Sequence, residues 1–316
     1  MTISQASPVA ERHDKSASSP TSTGEEAGTI LVVGATGTVG REVVRRLSTA
    51  GTRPLALMHA GPSGPVSGDP VDRVSADLDR PATVEAALDG VDRLFLLTRQ
   101  TSRQLAQEQT VIAAAARAGV GRVVKLSVFR ADERSPLQIA RQHGKAERVL
   151  QDSGLQHTIL RPVFFMQNLF AMVRDGVVAT AAQDGLVAMV DARDIAAAAV
   201  AALTTVPAEG RVYTLTGPEA VSFDLVAGLL GRPAGQSISH VRVPAETVLE
   251  RLRAAGAEAW FAIDMAALHG MLADGYEDVI TPDIAALTGA PATPLARFAT
   301  DFSARFDPPS RPIRAR

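Results

Sequence analysis

Residues Gly34-Ala-Thr-Gly-Thr-Val-Gly40 stand directly between the apolar run Thr29-Ile-Leu-Val-Val33 and the amphipathic stretch from Arg41 to Ala50. This order reads as strand, glycine turn and helix, the opening of a βαβ unit. In the stretch that follows, Val39, Val43, Val44 and Leu47 recur at three- and four-residue intervals, and Arg41, Glu42, Arg45 and Arg46 take the positions between. Residues without a β-carbon let the chain turn tightly and approach a pyrophosphate, whose charge the free N–H groups and positive end of the next helix attract. The motif therefore predicts a dinucleotide site built by Gly34, Thr36, Gly37, Thr38, Val39 and Gly40.

The rest of the chain narrows what surrounds that site. Its 316 residues, 46% of them hydrophobic, are enough for one large α/β core and a smaller lobe. There is no apolar run of membrane-spanning length, and residues 1–27 are rich in Ser, Thr, Pro and Glu without the apolar core of a signal peptide, so a cytoplasmic protein without a membrane partner is expected. The absence of cysteine excludes disulfides, thiolate metal sites and a cysteine nucleophile, leaving redox chemistry to a cofactor. With 32 basic and 34 acidic residues interspersed at a net charge of −2, no electrostatic footprint for nucleic acid exists, and a small-molecule substrate is expected. No metal site is expected, because the six histidines show no paired ligand spacing.

Further strands are predicted at Leu55–Met58, Arg73–Ala76, Arg93–Leu97, Arg122–Leu126 and His157–Leu160, with crossover helices at Pro81–Leu88, Ser102–Ala118 and Leu137–Asp152. This alternation predicts an α/β, Rossmann-type doubly wound parallel sheet. Strands at Leu186–Val190 and Arg211–Leu215, around a helix from Asp191 to Leu203, are expected to resume it. After Gly217-Pro218 the pattern turns helical, at Ser222–Leu230, Ala245–Ala255, Ala257–Leu272 and Pro294–Phe306. The expected organisation is a tail over 1–27, a dinucleotide-binding domain over 28–217, a helix-rich C-terminal substrate lobe over 218–306, and a flexible tail over 307–316. Residues 163–185 are expected to contribute to the substrate cleft.

An open parallel sheet binds ligands beyond the carboxyl ends of its strands. Asp77, with Leu78 beside it, ends the third strand, where it either meets the adenine or serves as a turn residue. Thr98 follows the fourth and is either a ribose contact or a loop threonine. An NAD site expects a carboxylate at the end of the second strand, but the sequence there is Met58-His59-Ala60-Gly61. A 2′-phosphate meets no repulsion at that place. His59 and Arg41 are the groups nearby to receive it, so NADP is the expected cofactor, with NADPH preferred over NADH.

The chain resembles the NmrA-like family of atypical short-chain dehydrogenases/reductases, in particular its quinone and azo-dye reductase branch. The resemblance is carried by the glycine turn, Gly90–Leu97, His143-Gly-Lys-Ala-Glu147, Leu160–Asn168, Asp191-Ala-Arg-Asp-Ile195 and Tyr213–Pro218. It implies an NAD(P) fold with a substrate cleft between the sheet and the helical lobe. It also implies a serine after the fifth strand, matched by Ser127, and a tyrosine and lysine four apart on the next helix. Those places hold Ile139 and His143. Lys145 lies two residues away, about 200° around a helix, and does not face the same way. His143 then either positions the nicotinamide ribose and relays a proton, or is a surface partner of Glu147.

By the same resemblance Pro162 makes a backbone contact to the nicotinamide amide, and Phe129, Phe164, Phe165 and Asn168 line the substrate entrance. Trp260, Phe261 and Tyr276 are either cleft walls from the helical lobe or packing residues. Without the phenol, substrates whose reduced form is a stabilised anion, or that already carry charge, suit the site best. The expected function is reduction of a quinone, azo compound, imine or activated carbonyl by NADPH, with a homodimer as the expected assembly. A non-enzymatic NADP-binding regulator and an isomerase or cyclase on the same fold are the alternatives.

Overall fold

The computed structural model describes residues 28–59, 71–205 and 210–306; the expected tails over 1–27 and 307–316 lie outside the described residues. Strands β1 (Ile30–Val32), β2 (Leu55–His59), β3 (Asp72–Ala76), β4 (Arg93–Leu96), β5 (Arg122–Leu126), β6 (His157–Pro162) and β9 (Arg211–Leu215) form one sheet in the order β3-β2-β1-β4-β5-β6-β9. Every pairing in it is parallel. The winding direction reverses between β1 and β4, so the crevice of this Rossmann-type fold opens at their carboxyl ends. The glycine turn lies there.

Both faces of the sheet are covered, which is why its strands read as continuous apolar runs. On one face Val32, Phe95, Val124 and Leu126 pack against α1 (Thr38–Thr49) and the alanine-rich α6 (Ala192–Thr204). On the other, Leu31, Leu94, Leu96 and Val123 meet α2 (Pro81–Leu88), α3 (Gln104–Ala118) and α4 (Gln138–Asp152). Asp191 caps α6 by accepting from the Arg193 N–H at 2.8 Å, and the Arg193 side chain bridges Asp191 to Asp301. The Asp191–Ile195 motif thus stitches chain segments together.

A third core gathers Phe164, Phe223, Phe298 and Phe306 around α7 (Phe223–Ala234) and α11 (Leu295–Asp301). Two expectations are corrected here. Leu186–Val190 is not a strand: its N–H groups go to Val221, Glu277 and Phe164, three unrelated partners, and only isolated bridges form. The C-terminal region, helix-rich as expected with α8 (Ala245–Ala254), α9 (Ala259–Ala273) and α10 (Asp283–Thr288), also contributes to a small sheet. There β10 (Ser239–Arg242) pairs with β8 (Val177–Thr180), and β8 with β7 (Val173–Arg174), which follows the one-turn α5 (Leu169–Met172). Asp175 and Gly176, both at positive φ (50° and 73°), make the tight turn between β7 and β8. The helix expected over Pro294–Phe306 stops at Asp301 and continues as a 3-10 turn. Among the described residues no helix is long and apolar enough to cross a membrane.

Candidate functional site

The three glycines of the turn have different jobs. Gly34 adopts φ 80°, and a β-carbon there would lie 2.5 Å from the Leu97 carbonyl oxygen. At Gly40 a β-carbon would lie 2.1 Å from the Gly34 oxygen, so this glycine lets α1 approach the strand. Gly37 has ordinary extended geometry (φ −79°, ψ 175°) and only one neighbour near its missing side chain, the Gly34 oxygen at 3.3 Å. A β-carbon here would crowd that oxygen mildly, where at Gly34 and Gly40 it would clash, so the fold demands bareness least at Gly37. Gly37 caps α1 without a side-chain bond, and the first turn carries no carboxylate, so no side chain of that turn competes with an incoming pyrophosphate. Arg41 is exposed there and makes no ion pair among the described residues, whereas Arg45 and Arg46 are both held by Glu42.

At the neighbouring strand ends the sequence candidates separate. His59 closes β2, but its side chain and residues 60–70 lie outside the described part. Asp77 builds a turn: its carboxylate accepts the Asp79 N–H at 3.0 Å, and its main chain pairs with Thr83. Leu78 packs on the apolar face beneath. Thr98 is buried and donates its hydroxyl proton to Glu108 at 2.9 Å.

That bond leads into a polar cluster that sequence reasoning missed. Lys125, in the middle of β5 and fully buried, places Nζ 2.6 Å from Oε2 of Glu108 on α3. The same Nζ lies 3.3 Å from Nδ1 of His143, whose Nε2 lies 2.9 Å from the Gln104 side-chain amide. His143 is 3% exposed, and burial together with the Lys125 charge holds its pKa well below the usual histidine value. It is therefore neutral, and it is not a surface partner of Glu147. A neutral imidazole accepts at only one nitrogen, so Lys125 and the Gln104 amide nitrogen, both donors, compete for the single acceptor on this ring. Gln104 Oε1 has no protein partner, an open acceptor in a buried setting that suits a polar ligand. Lys125 thus brings an amine from β5 to the His143 ring, while Lys145 is exposed. A lysine inside a strand covered on both faces was the signal for it.

Glu147 has other partners. It accepts from Ser127 and from Arg161, with Nε of Arg161 at 3.0 Å. The Ser127 proton points at this carboxylate, beneath the site. Ile139, where the resemblance implies a tyrosine, is buried against Trp260 and Met271 of α9, and its N–H is capped by Asp264 at 2.7 Å. Gly144 lets the 132–133 backbone lie on α4, since a β-carbon would come within 2.5 Å of Asp132.

The residues expected to line the substrate entrance do not form one wall. Pro162 is buried and its carbonyl oxygen accepts the Phe129 N–H, tying together the loops that follow β5 and β6. Phe129 packs edge-on against Tyr276 at 5.6 Å between ring centroids, and the Arg130 guanidinium lies over both rings. Phe164 turns its ring into the third core against Phe223, while its N–H bonds Glu277 at 2.8 Å. Phe165 packs toward the α1/α6 face, Asn168 is exposed, and Trp260 joins the start of α4. A hollow of about 260 Å³ opens between Gln100 and the turn into α9, lined by Gly256, Glu258 and Phe261. Arg130 and Glu277 escaped sequence reasoning because neither lies in a motif.

A profile of the NmrA-like family matches residues 26–287, most of the chain. The chain belongs to the NmrA-like family. Within reach of this NmrA-like chain is a protein named NAD(P)H azoreductase from Xenophilus azovorans, 36% identical over 282 residues, covering 88% of this chain and 99% of the relative. Quinone oxidoreductase 2 of Escherichia coli strain K12 is 30% identical over 280 residues, covering 84% and 96%. A crystal structure of an NADPH-dependent quinone oxidoreductase from Escherichia coli complexed with NADPH superposes with a TM-score of 0.76 at 27% identity, covering 86% of this chain and 99% of that one.

Proposed function

We propose that this NmrA-like chain is an NAD(P)H-dependent oxidoreductase that reduces a small conjugated acceptor such as a quinone, azo compound, imine or activated carbonyl. The observation that carries the reading is the division of labour in the glycine turn: Gly34 and Gly40 are required by the backbone, whereas Gly37 is free to admit a ligand at an uncapped helix end. The relatives named for azo and quinone reduction support the class of acceptor. NADPH is the preferred cofactor in this reading, because β2 ends without a carboxylate and Arg41 is unpaired among the described residues. The reading extends to a cytoplasmic homodimer with the cleft between a body over 28–217 and a lobe over 218–306.

The turn and the start of α1 would hold the pyrophosphate, Thr98 and His143 would lie toward the nicotinamide ribose, and the Pro162 backbone toward the carboxamide. A reduced nicotinamide held there would supply hydride. His143 keeps a neutral ring beside Lys125 and so orients without adding charge. Consumption of NADPH in the presence of a panel of quinones and azo compounds tests the reading. Saturable turnover is expected. Cofactor binding without turnover on any acceptor would overturn it in favour of a regulator, and product formed without net cofactor loss would indicate isomerase chemistry.

A further inference from the structure

Reduction of a neutral acceptor adds a hydride and a proton, and the groups already described are poor sources of the proton. Ser127 is turned toward Glu147, and the His143 ring is fixed between Gln104 and Lys125. The segment between α9 and α10 brings Glu277 to the loop that follows β6, and its neighbour Tyr276 to the loop that follows β5. Glu277 is 5% exposed, its Oε2 accepts the Phe164 N–H at 2.8 Å, and its carbonyl oxygen accepts the Ala188 N–H at 3.0 Å. Two side chains act on it electrostatically or adjoin it. Arg130 comes from the loop after β5, held at φ 49° with its guanidinium 4.7 Å above the Tyr276 ring; Tyr276 is the preceding residue. Asp278, which follows, is exposed.

Resting on the reductase reading, we propose that Glu277 is the proton donor to the acceptor, a carboxylic acid in place of the phenol that α4 lacks, with Arg130 stabilising the carboxylate left behind. Its place supports this, since the carboxyl is anchored on Phe164, two residues past Pro162, and its neighbour Tyr276 packs on Phe129, two residues past Ser127. Burial pushes its pKa up to about 7, against the smaller opposing pull of the Phe164 N–H and of Arg130, so a proton is available near neutrality. In the step, the hydride of the reduced cofactor forms one new bond on the acceptor and the Glu277 O–H bond breaks. The proton forms an O–H or N–H bond on the acceptor, and solvent later reprotonates the carboxylate. Tyr276 is the weaker acid of the two, because burial raises its phenol above the ordinary value of 10.0.

Glu277→Gln tests this while keeping an acceptor for the Phe164 N–H. In the wild type, kcat/KM for a quinone should fall about tenfold per pH unit above about pH 7. In the variant that limb should vanish and the rate near pH 6 should drop roughly 10- to 100-fold, with NADPH affinity unchanged. Difference infrared spectroscopy of the protein without cofactor gives a second readout: a carboxylic acid carbonyl band titrating near neutrality, present in the wild type and lost in Glu277→Gln. Arg130→Gln, at an exposed position that leaves the core intact, should move both the band and the limb to higher pH. An active wild type whose rate and pH limb survive in Glu277→Gln, or whose limb disappears in Tyr276→Phe instead, overturns the proposal and leaves the reductase reading standing. A wild type without turnover on any acceptor removes both.

Discussion

The glycine turn and the buried polar cluster lie at the carboxyl ends of adjacent parts of one sheet, and they are built in opposite ways. The turn is seven consecutive residues whose function lies in backbone geometry: two glycines are demanded by close carbonyl oxygens and one is left open. The cluster draws Thr98, Gln104, Glu108, Lys125 and His143 from the loop after β4 and from α3, β5 and α4, and its order lies in buried charge and hydrogen bonds. A backbone site of this kind is damaged by added volume. A buried charge network is damaged by removing one partner, because the group left behind has neither water nor counter-charge.

That contrast is broken most forcefully at Lys125. Lys125→Met leaves Glu108 buried with only Thr98 and Gln104 for partners, and should cost about 3–5 kcal/mol in urea unfolding. The double variant Lys125→Met/Glu108→Leu should recover most of the loss. A single variant as stable as the wild type would show that the pair contributes no buried charge.

Glu277 sharpens the comparison through pH. Its folded pKa is about 7 against an ordinary 4.5, so between those values the native state binds more protons than the unfolded state. Stability from this group is therefore full below about pH 4.5, declines as pH rises, and is lost above about pH 7, by about 3 kcal/mol in all. Denaturant unfolding of wild type and Glu277→Gln across this window should show the difference between them changing by that amount. A constant difference would contradict it.

His143 comes next. His143→Ala should lower turnover roughly 10- to 100-fold, the range for loss of a positioning or proton-transferring group. It should also destabilise by about 1–3 kcal/mol, since Gln104 and Lys125 each lose a buried partner. Steady-state kinetics beside thermal unfolding separates the two effects, and undiminished turnover would remove His143 from the site. The smallest expected effect is cofactor preference. NADPH should bind about 1 kcal/mol more tightly than NADH by calorimetry, and Arg41→Ala should erase the difference. Preference for NADH would point to ribose contacts elsewhere.

The same contrast explains what was legible before the fold was known. Gly34, Gly37 and Gly40 were readable because a turn is local and its chemistry is written in adjacent residues. The seven parallel strands were largely readable from apolar runs, although Leu186–Val190 misled because buried, cross-linked loop has the composition of a strand. The β7–β8 hairpin was overlooked despite its Asp175-Gly176 turn, since its strands are only two and four residues long. Lys125 went unread although its place in an apolar strand marks it, and Glu108 sits in an alanine-rich helix with nothing beside it to mark its partner. Glu277 carried no local signal at all. Its burial depends on two loops more than a hundred residues earlier, so only the fold reveals it.

The central claim is that Gly37 is bare for a ligand rather than for the fold. Fluorescence titration of NADPH into wild type and Gly37→Val, with thermal unfolding of both, tests it most directly. The variant should keep its unfolding midpoint, because valine tolerates the extended backbone at this position, and should bind NADPH at least about tenfold more weakly. Equal affinity in a folded Gly37→Val protein would contradict the account.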